Sequence, residues 1–244
     1  MSATGNAPGA REEILRRVGV ALRAAPTPQP VVRDYRRGGQ AGTAALVELL
    51  CLRLADHNAE VRRVAAGEVG RTVADVCRER GVRRLGVPPG LPAAWRPVGA
   101  AVVHENERTV ADYDERTVAD HDGLAVIEDR GLEAHELDDI DGVVTGCTLA
   151  IAETGTLVLT AGPTEGRRAL TLVPDLYLCV VEESRVVSDL PTALPEVAGL
   201  VRAGRRPVTF ISGPSATSDI ELHRVEGVHG PRQLVVLVVG APAD

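Results

Sequence analysis

The chain has 244 residues, 44% apolar and 2% aromatic, with a formal net charge of −7. This length suits one large α/β domain or one domain with a helical appendage, and the apolar share is enough for a sizeable core of Val, Leu, Ala and Ile. One Trp, three Tyr and one Phe are too few for a base-stacking platform, and a negative balance without a basic stripe excludes a phosphate-backbone binder.

Residues 1–10 are expected to be disordered. Ile14, Leu15, Val18, Ala21 and Leu22 recur at a helical period within Arg11 to Ala24. APTPQP, Ala25 to Pro30, then reads as a stiff linker. The predicted organisation is therefore a disordered start, a helix and a Pro-rich linker over 1–30, followed by an α/β domain over 31–244. An amphipathic helix is predicted from Gln40 to His57, a short strand at AEVRRVA, and a helix from Glu68 to Arg80 stopped by Gly81. VRRLGV is a strand ended by Pro88 and Pro89. Strands alternating with helices of about a dozen residues imply βαβ units and a largely parallel sheet.

ERTVADYD at 107–114 is followed at once by ERTVADHD at 115–122. This tandem copy is too short for a solenoid repeat and reads as an acidic surface segment without a catalytic role. His104 and His121 fall under the same reading. LAVIED is then a strand, EAHELDDI a short helix and DGVVTG a buried strand. CTLAIAE is predicted helical, TLVLT a strand, RRALTL a helical turn, LYLCVVEES a strand and Leu190 to Arg202 a helix. PVTFIS and RQLVVLVVG complete the strands, the last as a continuous apolar run covered on both faces.

Three loops carry the candidate chemistry. In the first, ETGT, Glu153 is placed at the end of the predicted CTLAIAE helix, with Gly155 as its left-handed cap. A carboxylate there faces the negative end of the helix dipole, a local rule broken without visible gain, which points to function. Glu153 is the candidate catalytic group, with Thr154, Gly155 and Thr156 beside it. The second loop is AGPTEGRRAL: Gly162 makes the turn, Gly166 lets backbone approach a ligand, and Arg167 or Arg168 adds a fork for an anion, Arg167 being the chosen clamp. The third, SGPSATSDIE, offers Gly213, Ser215, Thr217 and Asp219, and the tight turn GVHGP carries His229. Asp219 and Glu221 could hold a metal only if both pointed one way; no metal site is expected.

All 27 basic residues are arginine. With no lysine there is no Schiff base and no P-loop lysine, so an anionic ligand must be held by arginine and backbone N–H groups. Cys51, Cys77, Cys147 and Cys179 are dispersed, with no CxxC, so no zinc ribbon or ferredoxin-type cluster is encoded locally and no cofactor is expected. GxGxxG after a strand, GxSxG and HExxH are absent. No apolar h-region follows Met1 and no apolar run is long enough for a bilayer, so a soluble, cytoplasmic protein without membrane insertion is expected.

VVTGCTLAIAETGTLVLTAGP, the GR that precedes ALTLVPDLYLCVV, SGPSATSDIEL and GVHGP together resemble the LUD-domain family, of the lactate utilization protein C type. The resemblance runs from about residue 40 to the end and is dense from Asp141 onward; the duplication at 107–122 is not part of it. It implies a three-layer α/β fold of the sugar-phosphate isomerase and CoA-transferase group. It also implies a role in oxidising L-lactate to pyruvate beside separate iron–sulfur partner proteins. A related LUD protein carries a cysteine-rich ferredoxin segment that this chain lacks. In CoA-transferases of similar fold a glutamate attacks the thioester, which gives the alternatives: a stand-alone enzyme or acyl-ligand protein using Glu153, or a ligand-sensing module.

Overall fold

The protein was studied as a computed structural model, which describes residues 9–23, 30–32, 34, 41–103, 123–204, 206–214, 216–217, 225–226 and 230–240. The duplication at 107–122 lies outside these residues, as do Ser215, Asp219 and His229. The chain divides into two units, Met1–Tyr35 and Arg36–Asp244. The first contains α1 (Ala10–Arg23), in which no residue is buried. Glu13 holds Arg16 and Arg17 one turn on, at 2.7 and 2.8 Å.

The second unit opens with α2 (Thr43–Asp56), which buries Val47, Leu50 and Leu54 along one stripe. β1 (Glu60–Val64) follows, then α3 (Val69–Arg80), whose buried face is Val69, Val73, Val76 and Cys77. Gly81 ends α3 at φ 67°, as the sequence predicts. β2 (Arg84–Val87), β3 (Ala101–Val103), β4 (Ala125–Glu128), the short α4 (Ala134–Asp138) and β5 (Gly142–Gly146) come next. They are followed by β6 (Leu149–Ile151), β7 (Thr156–Leu159), β8 (Leu176–Glu182), β9 (Val186–Val187) and α5 (Leu190–Gly204). β10 (Thr209–Ile211), a small hairpin of β11 (Ala216–Thr217) with β12 (Val225–Glu226), and β13 (Gln233–Val239) complete the unit.

Seven strands form one sheet in the order β1-β13-β8-β5-β2-β4-β3, with every pair parallel. The central strands β8 and β13 alternate between two cores. Tyr177, Cys179, Val181, Leu234, Val236 and Val238 face one side, with α2. Leu176, Leu178, Val180, Val235, Leu237 and Val239 face the other, with α3. This is the α/β architecture with a parallel sheet that the sequence predicts.

Two assignments are corrected. CTLAIAE is not a helix: it forms β6, hairpinned to β7 with Ile151 opposite Thr156. The TLVLT and PVTFIS strands do not join the parallel sheet. β7 and β10 pair antiparallel in a second sheet, ordered β10-β7-β6-β9. One face of this sheet shares the α2 core through Ala150 and Leu157. The other packs Leu149, Ile151 and Val158 on Ala193 and Val197 of α5.

Candidate functional site

The β6–β7 turn consists of residues 152–155. Ala152 and Glu153 donate backbone N–H groups to Val187 and Ser188, at 2.9 and 3.0 Å. Gly155 takes φ +59°, and a Cβ there would lie 2.7 Å from the Arg53 Cβ. Its positive φ therefore serves a hairpin turn seated on the end of α2, not a helix cap. Glu153 and Thr154 are exposed on this turn. The helix-dipole argument for Glu153 lapses with the helix; its place on a projecting turn stays.

The turn meets the chain beyond β10. Thr154 Oγ1 and Thr156 Oγ1 lie 2.7 Å apart, and Thr156 Oγ1 lies 2.7 Å from Ser212 Oγ. His57 Nε2 donates to the Thr154 carbonyl oxygen at 3.3 Å. Gly213 has φ +95°, and a Cβ there would fall 2.6 Å from the His57 carbonyl oxygen. Three hydroxyls in a row, each able to donate or accept, thus converge with an imidazole. Because His57 immediately precedes β1, this cluster sits at the N-terminal edge of the parallel sheet.

Next to it opens a cleft with a cavity volume of about 170 Å³. Its walls include Arg168 and Thr171, Tyr177 and Leu234 near the starts of β8 and β13, and the segment from Phe210 to Pro214. Tyr177, which borders the cleft, is buried, and its hydroxyl is engaged with Thr145 Oγ1 at 2.9 Å. Burial, with Cys179 as neighbour, pushes that phenol well above its ordinary range.

The second loop goes to the opposite edge. Gly146, at the end of β5, donates its N–H to Thr164 at 2.9 Å. A Cβ on Gly166 would stand 3.1 Å from Pro88, just after β2, and 3.0 Å from Leu170, so the approach that Gly166 permits is that of protein. Gly162 donates its N–H to Glu165 Oε2 at 2.8 Å. Glu165 is almost fully buried, and it also accepts from Thr160 N at 2.7 Å and from the Thr148 hydroxyl at 2.5 Å. Arg167 grips Asp129, just after β4, in bidentate fashion: Nε to Oδ2 at 2.7 Å and Nη2 to Oδ1 at 2.9 Å. It also donates to the Leu132 carbonyl.

Of the sequence-predicted residues, the structure gathers Glu153, Thr154, Gly155, Thr156 and Gly213 at one edge. Gly162, Gly166 and Arg167 lie at the other, where Arg167 is engaged with a buried carboxylate. Thr217 pairs with Val225 in the small hairpin. Sequence reasoning missed His57, Glu165 and Asp129, and preferred Arg167 to its neighbour Arg168. A carboxylate between Gly162 and Gly166, with backbone donors close by, was the available signal for Glu165.

Among the described residues no group of three His, Cys, Asp or Glu side chains could hold a metal. Contact with Cys179, then burial, holds the Cys147 thiol well above its usual range, which leaves it a poor nucleophile. No helix among the described residues is long and apolar enough to cross a membrane.

The LUD domain matches residues 47–239. Over 188 residues the chain is 42% identical to the lactate utilization protein C of Deinococcus radiodurans, a match covering 77% of this chain and 76% of that one. Over 112 residues it is 35% identical to the lactate utilization protein C of Shouchella clausii, covering 45% of this chain and 48% of that protein. The crystal structure of a DUF162 family protein from Deinococcus radiodurans superposes with a TM-score of 0.63 at 36% identity, over 82% of this chain and 99% of that one. Because the domain match spans all seven strands of the parallel sheet and α2 from Val47 onward, the chain belongs to the LUD-domain family.

Proposed function

We propose that this chain is a component of a lactate-utilization system and acts in the conversion of L-lactate to pyruvate beside separate iron–sulfur proteins. The observation that carries this reading is the 42% identity, over most of both chains, to a protein named lactate utilization protein C. The chemistry supports partners. Converting lactate to pyruvate removes two electrons and two protons, and those electrons need an acceptor. Cys51, Cys77, Cys147 and Cys179 are dispersed in sequence, which offers no local motif for a cluster of the chain's own. Within this reading Glu153 is the acid–base group, on the turn that carries the Thr154 and Thr156 hydroxyls.

The test is deletion of the gene in its own organism, with complementation by wild type and by Glu153→Gln. Loss of growth on L-lactate, rescued by wild type alone at equal protein levels, is the expected result. Unimpaired growth of the deletion strain refutes the functional reading. Full rescue by Glu153→Gln removes Glu153 from it.

A further inference from the structure

We propose that the cleft between β10 and the N-terminal ends of β8 and β13 binds a small carboxylate with an apolar tail, larger than lactate itself, and that Arg168 is its anion clamp. The inference deepens the reading above and rests on it only for which edge of the sheet carries the site.

The first observation is the state of Arg168. Arg62, Arg63, Arg71, Arg78, Arg80, Arg96, Arg130, Arg167, Arg185 and Arg232 each hold a carboxylate. Arg168 has no carboxylate partner among the described residues. Its Nη1 donates to Thr171 Oγ1 at 3.2 Å, and that hydroxyl donates back to the Arg168 carbonyl oxygen at 3.2 Å. Thr171 is itself buried. A residue three positions on therefore fixes the guanidinium at the cleft wall and leaves most of its donors uncommitted. A positioned guanidinium with spare N–H groups is suited to a planar carboxylate.

The second observation is the cleft's apolar lining. Phe210 is the only phenylalanine in the chain and is 47% exposed, on the strand that borders this cleft. With the buried Tyr177 and Leu234 it supplies apolar lining to the same cleft as Arg168. A cavity of about 170 Å³ leaves room beyond the three carbons of lactate for a short tail. Ser212, whose hydroxyl lies 2.7 Å from Thr156 Oγ1, also lines the cleft and adds a polar group to it. The arrangement selects an anionic head, a hydroxyl or oxo group next to it, and a branched or aromatic tail.

The experiment is calorimetric titration of the purified full chain with 3-phenyllactate, 2-hydroxyisocaproate, L-lactate, phenyllactamide and inorganic phosphate, repeated on Arg168→Met and Phe210→Ala. Phenyllactate and hydroxyisocaproate should bind more tightly than lactate by roughly tenfold or more, as a buried apolar tail warrants. The uncharged amide should lose roughly tenfold to a hundredfold, and Arg168→Met should lose the same for the acids while unfolding at the wild-type temperature. Phe210→Ala should weaken the two tailed acids and leave lactate unchanged. Equal affinity for acid and amide, unchanged binding by Arg168→Met, lactate binding as tightly as phenyllactate, or phosphate binding more tightly than any acid each overturns the assignment. Because binding is read on purified protein, its failure is separate from any failure of growth on lactate.

Discussion

Asp129 and Glu128 are neighbours at the end of β4, yet they do different work. The Asp129 side chain is 1% exposed and accepts the N–H groups of Gly131 and Leu132, both at 3.1 Å, besides the Arg167 fork, so it shapes the β4–α4 loop and ties it to the 161–167 segment. Arg167→Ala would leave a buried carboxylate short of its counter-charge. The expected cost is about 2–4 kcal/mol in urea unfolding, with carboxylate binding at the far edge unchanged; a cost below about 0.5 kcal/mol would show that Asp129 needs only its backbone donors. For Glu128, burial alone would raise the carboxyl, but hydrogen bonds from Arg130 and Arg96 outweigh it and hold the group below its ordinary value. A carboxyl lowered by folding stabilises the fold fully above its unfolded value of about 4.3, and that contribution disappears as pH falls from there through the folded value. Glu128→Gln should therefore be less stable at pH 7 by about 1–3 kcal/mol and lose less further stability below about pH 4 than wild type. Parallel acid limbs for the two proteins would refute the assignment.

At the scale of elements, the β6–β7 hairpin decides where the site is built. Gly155→Ala must accept both a positive φ and a Cβ 2.7 Å from Arg53 Cβ and 2.8 Å from the Arg53 carbonyl carbon. Since α2 cannot withdraw without opening the Val47, Leu50 and Leu54 stripe, the expected loss is roughly 2 kcal/mol or more, read by denaturant midpoint. A loss within roughly 0.5 kcal/mol would mean the turn relaxes independently of α2. The same hairpin shows what was legible in the sequence. α2, α3 and the double-faced strands β8 and β13 announce themselves, because one-sided helices and long Val/Leu runs leave distinct patterns. β6 does not. Leu149 and Ile151 pack under α5 while Ala150 packs toward α2, so burial on both sides erases the alternation that marks a strand, and a short apolar run has no period of its own. The departure of β7 and β10 to a second sheet depends on pairing Leu157 with Ile211, a contact between residues far apart in sequence that no local signal encodes. For adjacent Arg167 and Arg168, the choice of clamp depends on which way each points. One goes to Asp129 and the other to the cleft, and composition cannot distinguish them.

Over the whole molecule, the two units make separate demands on the chain. α1 buries none of its residues, so removing residues 1–35 should leave the second unit's unfolding temperature within about 3 °C of the full chain, a shift of no more than about 1 kcal/mol; a larger fall would give the first unit a structural part. The cysteines bear on electron transfer at the same scale. Cys77 packs with α3 on one face of the parallel sheet, while Cys51, Cys147 and Cys179 belong to the core on the other. A four-thiolate cluster would have to draw ligands through a seven-stranded sheet. Burial also pushes the Cys77 thiol up to about 12 and raises that of Cys51, which makes their thiolates costly as ligands. The chain purified anaerobically, and again after incubation with iron and sulfide, should therefore be colourless and hold iron well below one atom per chain. Stoichiometric iron with a broad visible absorption band would mean that cysteines gather in a way this fold does not provide for, and would move the electron acceptor from partner proteins into the chain. A colourless chain that restores lactate oxidation only when iron–sulfur proteins of the same system are added would assign the electrons to those partners and leave this protein the handling of the carboxylate.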